Sequence, residues 1–199
     1  MKITDHIFVA LAIFCTSFVK FSVSTGRIIV DIYYENNCPY SKKFIREQLE
    51  PNYEEIKDFI VLHFYPFGHS ESVINADGSI TFTCQHGPNE CEGNMFQTCA
   101  LNNAKTQDER VAIVFCAMTT VSTIQECISS LQLDGDAIEE CMNGPEGIKL
   151  QLEYEILSEK PVSELGGVPA IVFNKTIDKE KETQALDDFR SVIFAMKSN

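Results

Sequence analysis

The sequence predicts an α/β fold with a helical, disulfide-bonded insertion, and three observations support this prediction. Two apolar segments, residues 27–34 and 59–65, flank a stretch with helical spacing, which is the pattern of a βαβ unit. Six cysteines cluster between residues 84 and 141, in a region that is largely helical in character. A third apolar segment then begins at a Val-Pro pair, and an amphipathic stretch follows it.

The βαβ unit is the most regular part of the pattern. Residues 27–34 are mostly β-branched or aromatic and predict a buried strand. The helix begins at Pro39, where a missing N–H costs nothing, and Pro51 is expected to kink or divide it. Residues 59–65 form the second strand, which pairs in parallel with the first. The apolar positions of the helix are Phe44, Ile45, Leu49, Tyr53, Ile56 and Phe59.

The insertion begins where this pattern stops. Residues 68–99 are rich in Gly, Asn, Ser and Cys and show little apolar periodicity, so they predict a segment without a core of its own. Residues 75–79 predict a turn, with residues 80–82 on the far side of a small hairpin. Disulfides are expected to stabilise such a segment.

The second half of the insertion is helical. Residues 106–157 carry apolar stripes at helical spacing, typical of several short helices. Asp134 or Asp136 is expected to cap a third helix, and Pro145 to begin a fourth.

The chain returns to the sheet after the insertion. Residues 165–174 form a turn that enters a third strand at Pro169, and residues 186–196 predict a terminal helix. The order β-α-β, helical insertion, Val-Pro-strand and helix is that of a thioredoxin-like fold, with the insertion at approximately residues 68–160.

The first 24 residues resemble a secretory signal peptide. A basic residue precedes the apolar residues 7–19, and small residues, Ser22 and Ser24, precede a cut after Ser24. The apolar stretch is short for a membrane span, although an uncleaved anchor is the alternative. We therefore predict a signal peptide at residues 1–24 and one domain at residues 25–199, secreted or lysosomal.

The charge of the remaining chain limits its partners. Residues 25–199 carry 14 basic and 28 acidic side chains, a formal charge of −14. Such a surplus repels phosphate groups, so it argues against nucleic acid and against an anionic membrane as partners.

The cysteine count leaves one sulfur over. Of eight cysteines, Cys15 falls within the signal peptide, and an odd number remains. The six clustered cysteines allow three disulfides in fifteen connectivities, and Cys38 stands apart from them. The alternatives for Cys38 are a buried inert thiol or a disulfide within a dimer. The six expected structural cysteines are Cys84, Cys91, Cys99, Cys116, Cys127 and Cys141.

Cys38 has the position of a reactive thiol. It lies between the first strand and the helix, in the sequence Cys38-Pro39-Tyr40-Ser41. The unpaired N–H groups and the positive end of the helix dipole stabilise a thiolate there, and the thiolate is the nucleophilic form. A dithiol redox motif would carry a second cysteine at Ser41, so this site has a single sulfur.

Two motifs resemble one family. Residues 84–99 fit the pattern C-Q-H-G-x2-E-C-x2-N-x4-C of the gamma-interferon-inducible lysosomal thiol reductases at every fixed position. The chain is also similar to that family at the Cys38 site, at residues 65–68 and at Val168-Pro169. The resemblance implies a thioredoxin-like enzyme that reduces disulfides in protein substrates. It also implies a cis Pro169 beside the reactive cysteine, so Pro39, Tyr40, Val168 and Pro169 are the expected substrate-binding residues.

Ser41 departs from the dithiol mechanism that the resemblance implies. There, the second cysteine resolves the mixed disulfide formed by the first, and a serine hydroxyl cannot do so. Release would require an external thiol such as glutathione or cysteine, or a second cysteine of the substrate. Ser41 then either donates a hydrogen bond to the Cys38 thiolate or only fills the site.

Other residues give weaker indications. Asn174 lies in the only N-glycosylation sequon and is expected at a strand end. A zinc site built from Cys84, Cys91, Cys99 and His86 lacks the short Cys-x2-Cys spacing, so we predict no metal and no cofactor beyond the small thiol. The competing functions are a catalytically weak or inactive secreted binding protein and a disulfide-rich inhibitor.

Overall fold

The computed structural model describes residues 26–119 and 123–198, and a three-stranded sheet lies at its centre. The middle strand is β1, Ile28–Tyr34. Strand β2, Ile60–Pro66, pairs with β1 in parallel, and the last strand, β5, Ala170–Phe173, pairs with β1 in antiparallel orientation. The predicted α/β arrangement is confirmed, whereas the predicted signal peptide at residues 1–24 lies outside the described residues.

The connection between β1 and β2 is helical but irregular. Pro51 has no N–H to donate to a preceding carbonyl, so regular α-helical bonding does not continue through it. The interruption expected at Pro51 is confirmed, and it lies within a short 3-10 turn. The successive pieces are Pro39–Phe44 (α1), the π-helical turn Ile45–Leu49, the 3-10 turn Glu50–Asn52, Tyr53–Ile56 (α2) and the 3-10 turn Lys57–Phe59.

The insertion differs from its prediction in one respect. The hairpin is present as β3, Glu71–Ile74, and β4, Ile80–Thr83. The sequence indicated no helix within residues 68–99, which were expected to lack a core of their own, yet α3 begins there and spans Pro88–Asn103. Apolar periodicity did not reveal α3 because much of its buried face is polar. The buried polar residues are Glu90, Asn94, Gln97 and Thr98.

Four further helices complete the insertion. Asp134 caps the third of them by accepting a hydrogen bond from the Ala137 N–H at 3.1 Å, and Pro145 occupies the first turn of the fourth. No helix in the described part of the chain is both long and apolar enough to cross a membrane. The four helices are Gln107–Thr119 (α4), Ile124–Ser130 (α5), Gly135–Asn143 (α6) and Pro145–Leu165 (α7).

Three disulfides hold the insertion together, so the predicted disulfide-bonded insertion is confirmed. Cys84–Cys91 joins the end of the hairpin to α3, Cys99–Cys141 joins α3 to α6, and Cys116–Cys127 joins α4 to α5. Two of them therefore fasten α3, one to the hairpin that precedes it and one to α6.

The two faces of the sheet are covered by different helices. The face that carries Val30 and Ile32 packs against the crossover, α4 and the terminal helix α8, Lys179–Ser198. The face that carries Tyr33 packs against α7. Helix α8 is longer than the residues 186–196 that apolar spacing predicted, and its backbone leaves helical geometry at Asp188.

A buried carboxylate joins α8 to the outer strand. Glu182 is buried and accepts a hydrogen bond from the N–H of Ile171 in β5. Burial raises the pKa of the Glu182 carboxyl to about 7 from its ordinary value of 4.5, although the Ile171 N–H and Lys179 oppose the shift.

This burial predicts a dependence of stability on pH. Between pH 4.5 and about 7, the folded protein binds more protons than the unfolded chain. The contribution of Glu182 to the free energy of unfolding is therefore complete below that pH range and is lost as the pH rises through it. Glu182→Gln should remove this part of the decline in stability with rising pH. The measurement is the free energy of unfolding in urea at pH 5 and pH 7.5, with the exposed Glu180→Gln as control. Equal pH dependence in both variants would contradict the assignment.

The disulfides should differ in their contribution to stability. Cys99 and Cys141 close a loop with a sequence separation of 42, against 7 for Cys84 and Cys91. Loop-closure entropy then predicts a loss in the free energy of unfolding of about 4 kcal/mol when Cys99 and Cys141 are replaced by alanine. For Cys84 and Cys91 the predicted loss is about 2.5 kcal/mol. Urea unfolding of the two double variants tests this order, and a larger loss from the shorter loop would refute it.

Candidate active site

The end of β1 and the start of α1 place Cys38 at a junction between strand and helix. Its N–H donates to the Glu35 carbonyl at 3.3 Å, and its carbonyl accepts from the Lys42 N–H at 3.0 Å. Pro39 occupies the first turn of α1, and that turn contains no acidic residue. The backbone therefore holds the sulfur where helix N–H groups lack partners.

The Cys38 sulfur is a free thiol in the structure. Among the described cysteines it alone lies outside a disulfide. The residue is 4% exposed, yet none of the three apolar clusters of the described chain includes it. Its neighbour is polar, since Sγ donates to the carbonyl of Val168 at 3.8 Å.

The loop before β5 brings Val168 and Pro169 to the cysteine. The peptide bond between them is cis, as the resemblance implied. The chain thus unites, at one end of the sheet, two segments that are 130 residues apart.

A groove extends from this loop along α1 and α8. It encloses about 270 Å³, and the Tyr40 ring at its edge is 74% exposed. Phe44, Leu165 and Leu186 give it apolar walls, and it also contains Pro169. Of the expected substrate-binding residues, Tyr40, Val168 and Pro169 therefore line one cavity.

Ser41 lies one turn into α1 and is fully buried. Its hydroxyl oxygen accepts a long hydrogen bond, 3.5 Å, from the Glu35 N–H. The serine is thus fastened to the segment before Cys38, a contact that the sequence did not indicate.

The signature segment holds the backbone that precedes Cys38. Glu90 Oε2 accepts from the Asn37 N–H at 3.1 Å, and Asn94 Oδ1 accepts from the Asn36 N–H at 2.8 Å. Gln97 Nε2 donates to Asn36 Oδ1 at 2.8 Å. The buried polar face of α3 thereby fixes residues 36 and 37, which lead directly into the cysteine.

Gly68 leaves room for a buried carboxylate beside this loop. A Cβ atom at Gly68 would lie 2.4 Å from Cγ of Glu35, so a larger residue would displace that side chain. Glu35 Oε1 accepts from the His69 N–H at 2.6 Å, and burial raises the pKa of the Glu35 carboxyl. Sequence similarity marked residues 65–68 without indicating that they accommodate Glu35.

His86 and His63 each contact a carboxylate, and the cysteines of the zinc site rejected above form disulfides. His86 Nδ1 lies 2.6 Å from Glu90 Oε2, and its backbone N–H donates to Glu90 Oε1 at 2.9 Å. His63 is only partly buried and pairs with Asp31 at 2.7 Å. Cys84, Cys91 and Cys99 all lie in disulfides, so they are not available as metal ligands.

Comparisons with known proteins agree with this geometry. The family described as gamma interferon inducible lysosomal thiol reductase (GILT) matches residues 29–132. A thiol reductase-like protein of this family from Anopheles gambiae is 32% identical over 184 residues, 84% of this chain and 76% of its own. GILT-like protein 1 from Drosophila melanogaster is 30% identical over 199 residues, 91% of this chain and 79% of its own.

Comparison of structures supports the same fold. A thioredoxin-like oxidoreductase from Silicibacter pomeroyi DSS-3 superposes with a TM-score of 0.50 over 85% of this chain and 90% of its own, at 17% identity. The shared architecture is thioredoxin-like, and the closely matching sequences are those of GILT proteins. The chain therefore belongs to the gamma-interferon-inducible lysosomal thiol reductase family.

Proposed function

We propose that the protein is a thiol–disulfide oxidoreductase that acts on protein disulfides through Cys38. The single observation that carries this proposal is a free sulfur, at the start of a helix, 3.8 Å from the carbonyl of Val168 in the cis-proline loop. Membership of a thiol reductase family supports the same reaction class.

The first step is attack by the Cys38 thiolate on one sulfur of a substrate disulfide. A new S–S bond joins Cys38 to the substrate, and the old bond breaks with its electron pair leaving on the second substrate sulfur. Lys42 and Lys43 lie in the last turn of α1, and no carboxylate lies in its first turn, so the charges of this helix do not oppose a thiolate.

The cis-proline loop and the groove provide the substrate site. An extended substrate strand beside Val168 and Pro169 would place its disulfide against Cys38, while Tyr40 offers an exposed aromatic face to a neighbouring side chain. We assign Pro39 to shaping the helix start rather than to contact, because it lies in the first turn of α1.

The second step requires a sulfur from outside the chain. A small thiolate such as glutathione or cysteine attacks the mixed disulfide, Cys38 leaves as the thiolate, and the attacking sulfur remains bonded to the substrate. A second small thiol then completes the reduction and leaves as a small-molecule disulfide. If a second cysteine of the substrate, rather than a small thiol, attacks the mixed disulfide, the result is isomerisation.

Two observations favour a second candidate, a GILT-like binding protein with little or no turnover. Ser41 cannot form a disulfide, and Cys38 is 4% exposed, so a bulky substrate must gain access to a largely covered sulfur. Such a protein would retain the groove and the disulfide-bonded insertion while catalysing no exchange.

We further propose that the protein passes through the secretory pathway to the lysosome or the outside of the cell. Disulfides persist in that oxidising route, and six described cysteines are paired. Asn174 is exposed, and its Oδ1 accepts the Ile29 N–H at 2.9 Å, so the hydrogen bond does not use the nitrogen to which a glycan is attached.

The reductase proposal predicts distinct behaviour of three variants on a protein disulfide substrate. Cys38→Ala should lower the rate to that of the small thiol alone, because no protein sulfur remains to attack. Ser41→Cys should reduce the small-thiol concentration required for half-maximal rate by roughly tenfold, since an internal sulfur resolves the mixed disulfide. Ser41→Ala, the matched control, should still depend fully on added thiol.

The measurement is the rate of substrate reduction across a titration of glutathione. A wild-type rate equal to that of Cys38→Ala at every thiol concentration would reject the enzyme and support the binding protein. Circular dichroism of each variant controls for folding.

Glycosylation has a separate test. The protein secreted by eukaryotic cells should lose mass on treatment with an N-glycosidase, and Asn174→Gln should abolish that shift because no other sequon exists. An unchanged mass in the wild-type protein would contradict the assignment of Asn174.

A further inference from the structure

Three ionisable side chains meet behind the loop that leads into Cys38. Glu35 follows β1, His86 precedes α3, and Glu90 lies in the first turn of α3. One ligand atom from each lies within 4.8 Å of the others. His86 Nδ1 is 3.4 Å from Glu35 Oε2 and 2.6 Å from Glu90 Oε2.

One oxygen in this cluster lacks a hydrogen-bond partner. Glu35 is 0% exposed, its Oε1 accepts from the His69 N–H, and its Oε2 accepts no hydrogen bond among the described residues. That oxygen faces the imidazole of His86, but the imidazole lies closer to Glu90 than to Glu35. An unpaired buried carboxylate oxygen is costly unless a proton or a cation occupies the space before it.

The surrounding charges do not balance the cluster. Both carboxylates are buried, and their ion-pairing partner in the described part of the chain is His86 alone. No lysine or arginine of that part lies within ion-pairing distance of either carboxylate. When both carboxylates are ionised, a protonated His86 balances only one of the two negative charges.

We propose that Glu35, His86 and Glu90 bind one divalent metal ion of the zinc type. Two carboxylate oxygens and one imidazole nitrogen are ligands that Zn²⁺ accepts, and bonds of 2.0–2.2 Å at tetrahedral angles place ligand atoms about 3.3–3.6 Å apart. The separation of Glu35 Oε2 and His86 Nδ1 is close to this value. Glu90 moves away from His86 as the ion replaces the proton between them.

The remaining contacts have the form of an outer shell around a metal site. In each carboxylate, the oxygen that faces away from the ion accepts a hydrogen bond from a main-chain N–H group. Glu35 accepts from the His69 N–H, and Glu90 accepts from the His86 N–H. Such partners orient ligands and increase affinity. The His86 side chain is 32% exposed, so an ion and a water molecule as fourth ligand reach the site from solvent.

The ion would join the signature segment to the active-site loop. Glu90 also accepts the Asn37 N–H, one residue before Cys38, and the carbonyl of Glu35 accepts the Cys38 N–H. Metal binding at this point stiffens the backbone around the nucleophile without touching its sulfur.

The test is equilibrium dialysis of the folded protein against Zn²⁺ at pH 7.4, with Co²⁺ as a spectroscopic probe. The wild type and Cys38→Ala should each bind one ion per chain, because the thiol is not a ligand. Glu35→Gln should weaken binding by about 100-fold or more, since losing an outer partner alone costs 10–100-fold. The Co²⁺ complex should show no thiolate charge-transfer band.

His69→Ala is the matched control, because it removes a neighbouring exposed imidazole and leaves the main-chain N–H that bonds Glu35. It should bind as the wild type does, and melting curves without metal should show that every variant is folded. The proposal is overturned by three results: no bound ion, which would mean that a proton alone occupies the cluster; binding lost in Cys38→Ala; or binding unchanged in Glu35→Gln.

Discussion

The polar contacts between α3 and the end of β1 are the constraint on which the rest of the site depends. Glu90, Asn94 and Gln97 bind the two residues that precede Cys38, and all three side chains are buried. Buried polar groups without partners are costly, so the helix and the loop each satisfy the other. The geometry around the sulfur therefore depends on an insertion whose described residues contribute no strand to the central sheet.

This arrangement explains why the insertion is covalently fastened. Cys84–Cys91 and Cys99–Cys141 fix α3 at its beginning and near its end, and most of the polar face lies between Cys91 and Cys99. A helix whose buried face is polar gains less from hydrophobic burial than an apolar one, so disulfides supply stability that the core does not. The signature is thus one unit in which cysteines hold the helix and polar residues hold the loop that leads into Cys38.

The single sulfur changes what the site requires of its surroundings. Ser41 fills the position of a resolving thiol and bonds to the Glu35 N–H, so the loop remains packed where a second sulfur would otherwise lie. In the proposed reaction, reduction depends on thiols in solution, and specificity depends on which substrates the groove beside Pro169 admits. The Glu35 carboxyl adjoins the same loop, which connects the active-site backbone to the charges of the signature segment.

The sequence alone determined the βαβ unit, the hairpin, the interruption at Pro51 and the isolation of Cys38, because these follow from local apolar spacing, proline chemistry and cysteine count. It did not reveal α3, since hydrophobic periodicity cannot detect a helix whose buried face pairs through hydrogen bonds. The family resemblance placed the Val168-Pro169 loop beside Cys38, whereas only the tertiary structure decided the disulfide pairing and the meeting of Glu35 with residues 86 and 90. Local patterns do not select these contacts: several of them join positions far apart in the chain, and which of the possible disulfides form depends on packing in three dimensions.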